Sequence, residues 1–239
     1  MKKIILFTVM LFTMSSCDQA TMQKILDAAG SVTSELSTEE IAKGLKEALG
    51  QGVEKGVTYL SKTDGFYKTS YKILLPEEAQ NVVSKLQMIP GFSNVEEIIL
   101  EKINRSAEEA VKKASPIFVN AITSMTINDA MGILLGEKNA ATSYLNQKTY
   151  NPLVGEFEPV IITALNKYNA LDYWEDAVNA YNKIPFVQKM NPRLEQYITE
   201  KALSGLFDRV EKEELNIREN INARSTDLLR RVFAKQDGV

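Results

Sequence analysis

The chain has 239 residues, with 28 basic and 31 acidic side chains, one cysteine and no histidine. The missing histidine excludes Ser/His/Asp and Cys/His catalysis and every histidine-bearing metal motif. A single cysteine excludes an internal disulfide, and a net acidic chain with scattered charge argues against nucleic acid as a partner.

The chain opens with Met1-Lys2-Lys3, an apolar run of 11 residues from Ile4 to Met14, and Ser15-Ser16-Cys17. This is the grammar of a signal peptide: a short positive start, an apolar stretch and a small-residue cleavage site. The run is too short to span a bilayer, which takes about 20 residues. An ordinary secretory signal leaves Cys17 incidental. A lipoprotein signal over 1–16 explains why the lone cysteine follows two serines. Acyl chains on the sulfur and the new amino terminus would then hold the protein to a membrane, since two or more chains anchor where one binds only marginally. The expectation is an exported envelope protein, lipid-anchored at Cys17 and facing the periplasm or the outside, with residues 17–35 as lipidated N-terminus and tether. Loss of Lys2 and Lys3 leaves 26 basic against 31 acidic side chains, a net −5. The mature length suits one domain, here taken as 36–234 with a C-terminal tail over 235–239.

The pattern from residue 37 onward is helical. Ile41, Leu45, Ala48, Leu49, Gly52, Val53, Gly56, Val57 and Leu60 recur every three or four residues, and Ser37 with Glu40 forms a capping box at the start. Residues 64–75 break the pattern and read as a loop or a short hairpin. Val95, Ile98, Ile99, Ile103, Ala107, Ala110 and Val111 mark a second helix, with Glu96, Glu97, Glu101, Glu108 and Lys112 expected to face outward. Pro76, Pro116, Pro159 and Pro192 each precede an apolar periodic stretch, as first-turn prolines do. Ser115 and Asn191 are candidate N-caps for two of them, and Pro90-Gly91 and Pro185 read as turns. Thr126 with Asp129 caps a further helix. Trp174, Ala177, Val178 and Tyr181 form a stripe that reads as core packing before sugar stacking. Leu194, Tyr197, Ile198, Ala202, Gly205, Leu206 and Val210 form the last, which continues through Glu213 or Glu214 to Ile217 and Ile221. The predicted fold is all-α, a single-domain bundle or orthogonal helical array joined by short turns.

Little catalytic vocabulary remains. There is no phosphate loop and no calcium loop, and no cofactor or metal is expected. Glu213-Glu214 is the one carboxylate pair worth testing for glycoside hydrolysis. Adjacent helical residues diverge by about 100°, however, so the two would not flank one bond unaided. Buried polar groups need partners, and Asn104, Arg105, Asp129, Glu214, Arg218 and Arg224 are read as contributors to one polar network, against the alternative that each is solvated or capped locally. Ala48, Gly52 and Gly56 lie four apart on one apolar face; they either admit a neighbouring helix or leave room for an apolar ligand.

Several of these runs resemble an uncharacterised bacterial family, domain of unknown function 4197. They are Leu36-Ser37 through Gly44-Leu45-Lys46-Glu47-Ala48-Leu49, Asp64-Gly65-Phe66, Leu74-Leu75-Pro76, Asn104-Arg105-Ser106-Ala107-Glu108 and Met125-Thr126 through Asp129-Ala130. Ile133-Leu134-Leu135-Gly136, Glu213-Glu214 through Ile217-Arg218, and Ala223 to Phe233 complete the likeness. It covers about residues 36–234 and implies an exported, mostly helical domain, with no activity or catalytic residues to carry over.

Three functional readings follow from the sequence. The first is a non-enzymatic module that binds an envelope protein partner or scaffolds an assembly. The second is a carrier or sensor of an apolar ligand such as a lipid, and the third a carboxylate-based hydrolase of envelope polymers.

Overall fold

A computed structural model describes residues 36–77, 79, 80, 94–167 and 193–234, with scattered positions between 171 and 189. Cys17 and the signal, Pro90-Gly91, the Trp174 stripe, Asn191 and Pro192 lie outside the described residues. The elements are α1 (Thr38–Ser61), α2 (Val95–Val111), α3 (Ala114–Thr123), α4 (Ile127–Leu134), α5 (Ala140–Asn166), α6 (Leu194–Glu219), a 3₁₀ turn (Ile221–Ala223) and α7 (Asp227–Phe233). No strand occurs among the described residues. The protein is all-α, and Ser37–Val239 form one compact unit.

The axis of the unit is α6, which packs against α1, α5 and α2. Its buried residues, Leu194, Ile198, Ala202, Leu206, Val210, Glu213, Glu214 and Ile217, continue one stripe past the apolar part into charge. Ile221 leaves that stripe, because α6 ends at Glu219, and it is 54 % exposed. The phenyl rings of Phe118 and Phe207 meet edge to face at 5.8 Å in the core, the geometry that aromatic quadrupoles favour.

Local chemistry sets several boundaries. Ser37 and Glu40 bond reciprocally at the start of α1, and Thr126 and Asp129 do the same for α4. Each pair satisfies two amides that the first turn leaves open. After α1 the chain turns at Asp64, whose φ is +67°. Gly65 follows because a Cβ there would overlap the Leu60 carbonyl. Residues 62–71 form turns and bends and 72–76 have no regular structure, so the stretch over 64–75 is a loop with no hairpin.

Two proline expectations fail. Pro159 starts no helix: it lies inside α5, as does Pro152. Both prolines are exposed, while Ala141, Leu145, Thr149, Leu153, Phe157, Ile161 and Leu165 form a buried ridge at every fourth residue. An i, i+4 ridge packed into neighbouring helices outweighs the amide bond that each proline removes on the solvent side. Ser115 is not a cap; it is the second residue of α3, whose N-cap position is Lys113, without a side-chain bond.

Candidate functional site

The six residues expected to share one network fall into three groups. Asn104 and Arg105 belong to a cluster on α2 that holds the loop after α1. The Asn104 side chain is fully buried, accepts from the Ile73 amide at 2.8 Å and donates to the Ile73 and Leu100 carbonyls at 2.9 and 2.7 Å. The centre of the cluster is Glu108, expected to face solvent but only 4 % exposed. Its carboxylate accepts from the amides of Phe66 and Tyr67 at 3.1 and 3.2 Å and pairs with Arg105 at 2.8 Å. Arg105 reaches on to Asp64 at 2.6 Å and lies over the Tyr67 ring, 5.4 Å from its centroid. The hydrogen bond to Glu108, followed by that to Asp64, holds the Arg105 guanidinium even more firmly protonated than usual. Its bond to Asp64 in turn holds that carboxyl below the ordinary aspartate range.

The second group joins helix ends. The Glu214 carboxylate, from the C-terminal part of α6, accepts from the amides of Ala141 and Thr142 at 3.0 and 2.8 Å and from the Thr142 hydroxyl at 2.8 Å. These are first-turn amides of α5, whose own N-cap, Asn139, makes no side-chain bond. A carboxylate suits that position because it meets both the open amides and the positive end of the helix dipole. Arg218, one turn on, pairs with Glu214 at 2.9 Å and donates to the Ile133 carbonyl at 2.9 Å and the Leu134 carbonyl at 3.4 Å, the last turn of α4. The pair thus closes the negative end of α4 and the positive end of α5 together. Arg224, 1 % exposed, closes α6 itself by donating to the carbonyls of Ile217 and Arg218 at 3.0 and 2.9 Å.

Asp129 stands apart as the third. It binds Thr126 alone, and backbone and hydroxyl bonds to that residue hold its carboxyl low. A cap three residues away satisfies it without a distant partner.

Glu213 and Glu214 do not converge. Glu213 pairs with Arg209 in an open groove beside Tyr59, while Glu214 faces a cavity beside Gly52. That cavity, lined by Leu45, Ala48, Leu49, Val210 and Phe233 among others, holds about 20 Å³. Such a space takes one water and no acyl chain. A Cβ on Gly56 would stand 3.3 Å from the Val210 side chain and one on Gly52 3.5 Å from Glu213. Ala48, Gly52 and Gly56 form the face on which α1 meets α6.

A groove of about 670 Å³ opens between the 70–77 segment and α6. Tyr71, Lys72, Tyr197, Lys201, Asp208 and Lys212 line it. Lys212 donates to the Tyr71 hydroxyl at 3.0 Å and pairs with Asp208 at 2.7 Å. Burial pushes the Tyr71 phenol up, against the effect of Lys212. The bond to Asp208, then that to Tyr71, holds the Lys212 ammonium above its ordinary range. The groove therefore presents a protonated Tyr71 phenol and the Lys212 ammonium, both tied to the Asp208 carboxylate, beside Lys72, Lys201, Glu77 and two aromatic rings. That mixed set of donors, acceptors and rings suits binding through polar and ring contacts. Sequence reasoning had used Tyr197 only as a core residue. The i, i+4 spacing of Tyr197 and Lys201 is a readable signal for half of the groove, with the ammonium 5.5 Å from the ring centroid, whereas Lys212 over Tyr71 at 4.9 Å joins residues 141 apart.

A family model described as "Protein of unknown function (DUF4197)" matches residues 35–234. No curated protein and no solved structure matches the chain.

Proposed function

Since the chain belongs to the DUF4197 family, whose name carries no activity, we propose from its own residues that it is an exported module, lipid-anchored at Cys17, that binds an envelope partner and performs no catalysis. The observation that carries the binding role is where its inner charges go. Glu108 and Glu214 accept main-chain amides, and Arg218 and Arg224 donate to main-chain carbonyls. Charges held this way organise helix ends and a loop, and they are poorly placed to exchange protons with a substrate. What the molecule offers outward is the Tyr71/Tyr197 groove, whose mixed polar groups and rings suit a protein or glycan surface.

The anchor reading rests on the first 17 residues, where the lone cysteine closes a signal sequence. Cells fed labelled palmitate should mark the wild-type protein and not Cys17→Ala, and the variant should leave the membrane fraction. Equal processing and sedimentation of both proteins, with no label in either, would remove the anchor. For the binding role, a photocrosslinking residue at Lys201, on the groove, should give one discrete adduct in cells, absent with the same residue at Glu54 on α1. Identical adduct patterns from the two positions would refute the groove as the docking surface.

A further inference from the structure

We propose that the elbow made by α3 and α4 is the face that the anchor holds against the bilayer, with its uncharged outer residues at the boundary between headgroups and acyl chains. The inference rests on the anchor reading above and deepens it by assigning the membrane-facing side.

One quarter of the whole chain is charged, yet the 23 residues from Ala114 to Gly136 hold a single ionisable side chain, Asp129. That one is tied to Thr126. Whichever way the elbow turns, its surface is therefore almost free of the charge that covers the other helices. Phe118, Ile122, Ala130, Ile133 and Leu134 are buried in the core, so the elbow belongs to the folded unit. Its exposed residues carry no charge: three are large and apolar, Val119 at 53 %, Ile127 at 41 % and Leu135 at 79 % exposed, and Asn120, Thr123, Ser124, Thr126 and Asn128 among them are neutral and polar. No single described helix is long and apolar enough to cross a membrane, and the stretch Glu96–Thr123 meets Ile127–Leu134 at 104°. A bent, half-buried element with an uncharged outside fits a membrane surface rather than a span.

Two further observations select the bilayer as its occupant. The first is charge complementarity. Lys112 and Lys113 precede the elbow, Glu137 and Lys138 follow it, and Lys46 donates to the Thr123 carbonyl at 3.0 Å, so four lysines and one glutamate border it. Lysines around an uncharged centre suit anionic phospholipid headgroups, to which their stems can reach. Lys112 and Lys138 pair with Glu109 and Glu219, but these are exposed pairs of the kind that contribute little. The second is where the tether ends. It joins the folded unit at Ser37, and Lys46 lies about 12 Å further along α1 at 1.5 Å per residue. The end of α3 thus lies beside the first half of α1, counted from the residue at which the unit begins. The intervening residues 18–36 can reach at most about 65 Å when fully extended, which confines the domain to the neighbourhood of the surface.

The test supplies the anchor chemically. The full chain from Cys17 is coupled through that thiol to a maleimide phosphatidylethanolamine in phosphatidylethanolamine/phosphatidylglycerol vesicles carrying a diazirine-bearing acyl lipid. After irradiation, lipid adducts are mapped by mass spectrometry. Trypsin releases Ala114–Lys138 as one peptide, which should carry most of the adducts in the helical body. A Val119→Glu/Leu135→Glu variant, altered at two exposed positions and checked for unchanged helicity by circular dichroism, should lose them severalfold. Adducts spread evenly, concentrated on other helices, absent from the helical body, or indifferent to the glutamates would each overturn the proposal. Failure of cells to acylate Cys17 would sink the anchor reading alone, because this map does not depend on cellular acylation.

Discussion

Glu108 and Glu214 are built alike and used differently. Each is a buried carboxylate on a long helix, paired with an arginine of its own helix, and each accepts two main-chain amides. Glu108 holds a loop: its amides belong to Phe66 and Tyr67, and its arginine, 31 % exposed, reaches the turn residue Asp64. Glu214 holds helices: its amides open α5, and its arginine, 6 % exposed, closes α4. The same pair of side chains therefore orders a local segment in one place and joins three helices in the other. Partner and depth decide which.

Breaking the deeper pair should have the largest effect. Arg218→Met removes one partner of a buried pair and strips the Ile133 carbonyl of its guanidinium donor, so stability should fall by about 3–5 kcal/mol, read as a lower urea midpoint. A loss within the range of an exposed pair, about 1 kcal/mol or less, would show that Glu214 is adequately held by the α5 amides alone. The transition should stay cooperative, because α4, α5 and α6 all meet at this side chain.

The shallower pair should respond locally. Glu108→Gln keeps the shape but removes the charge and turns one acceptor into a donor facing an amide or a guanidinium. A cost of about 1–3 kcal/mol is expected for the group left unsatisfied. Hydrogen exchange should accelerate at Phe66, Tyr67 and Thr69 and leave Leu145, Leu153 and Ile161 unchanged. Equal acceleration in both places would erase the distinction between loop holder and helix joiner.

The contrast also shows what a single sequence reveals. The boxes at Ser37/Glu40 and Thr126/Asp129 are readable because both partners lie within one turn, and the stripes of α1 and α6 because burial repeats with the helix. The Glu214–Arg218 pair is visible as an i, i+4 spacing, yet its targets at Ala141 and Ile133 lie more than 70 residues away, where no spacing rule reaches. Glu108 was misread from its charge, although it lies four residues after Asn104 and three before Val111, both on the buried face. The expected single network failed at Asp129 for the opposite reason, since a partner three residues away had already satisfied it. Pro159 misled because tertiary packing of the α5 ridge overrides the local preference of proline.

Acid should separate loop from core a third way. The bonds from Arg105 and then Lys68 depress Asp64 in the folded protein, and bonds to Thr126 depress Asp129. A depressed carboxyl contributes stability that is fully present above its unfolded pKa, about 3.9, and is lost as pH falls through the lower folded value. Melting temperature should therefore hold down to about pH 5 and then fall progressively as pH drops through about 3.9 toward the lower folded values. Asp64→Asn should flatten part of that drop. An unchanged acid limb in Asp64→Asn would show that the Arg105 contact does not act in solution.

The smallest expected effect is a gain, and it tests the α1–α6 contact rather than the charges. A Cβ added at Gly50 meets no atom within 4 Å, whereas one at Gly56 stands 3.3 Å from the Val210 side chain. Both lie inside α1, where alanine exceeds glycine by roughly 0.5–1 kcal/mol through the entropy of the unfolded chain. Gly50→Ala should therefore raise the urea midpoint by close to that amount. Gly56→Ala should gain less or lose, because the new methyl must displace Val210 where the helices are closest. Equal gains at both positions would mean that α1 and α6 stand further apart than these distances place them, and that the small residues on this face are not required for helix approach.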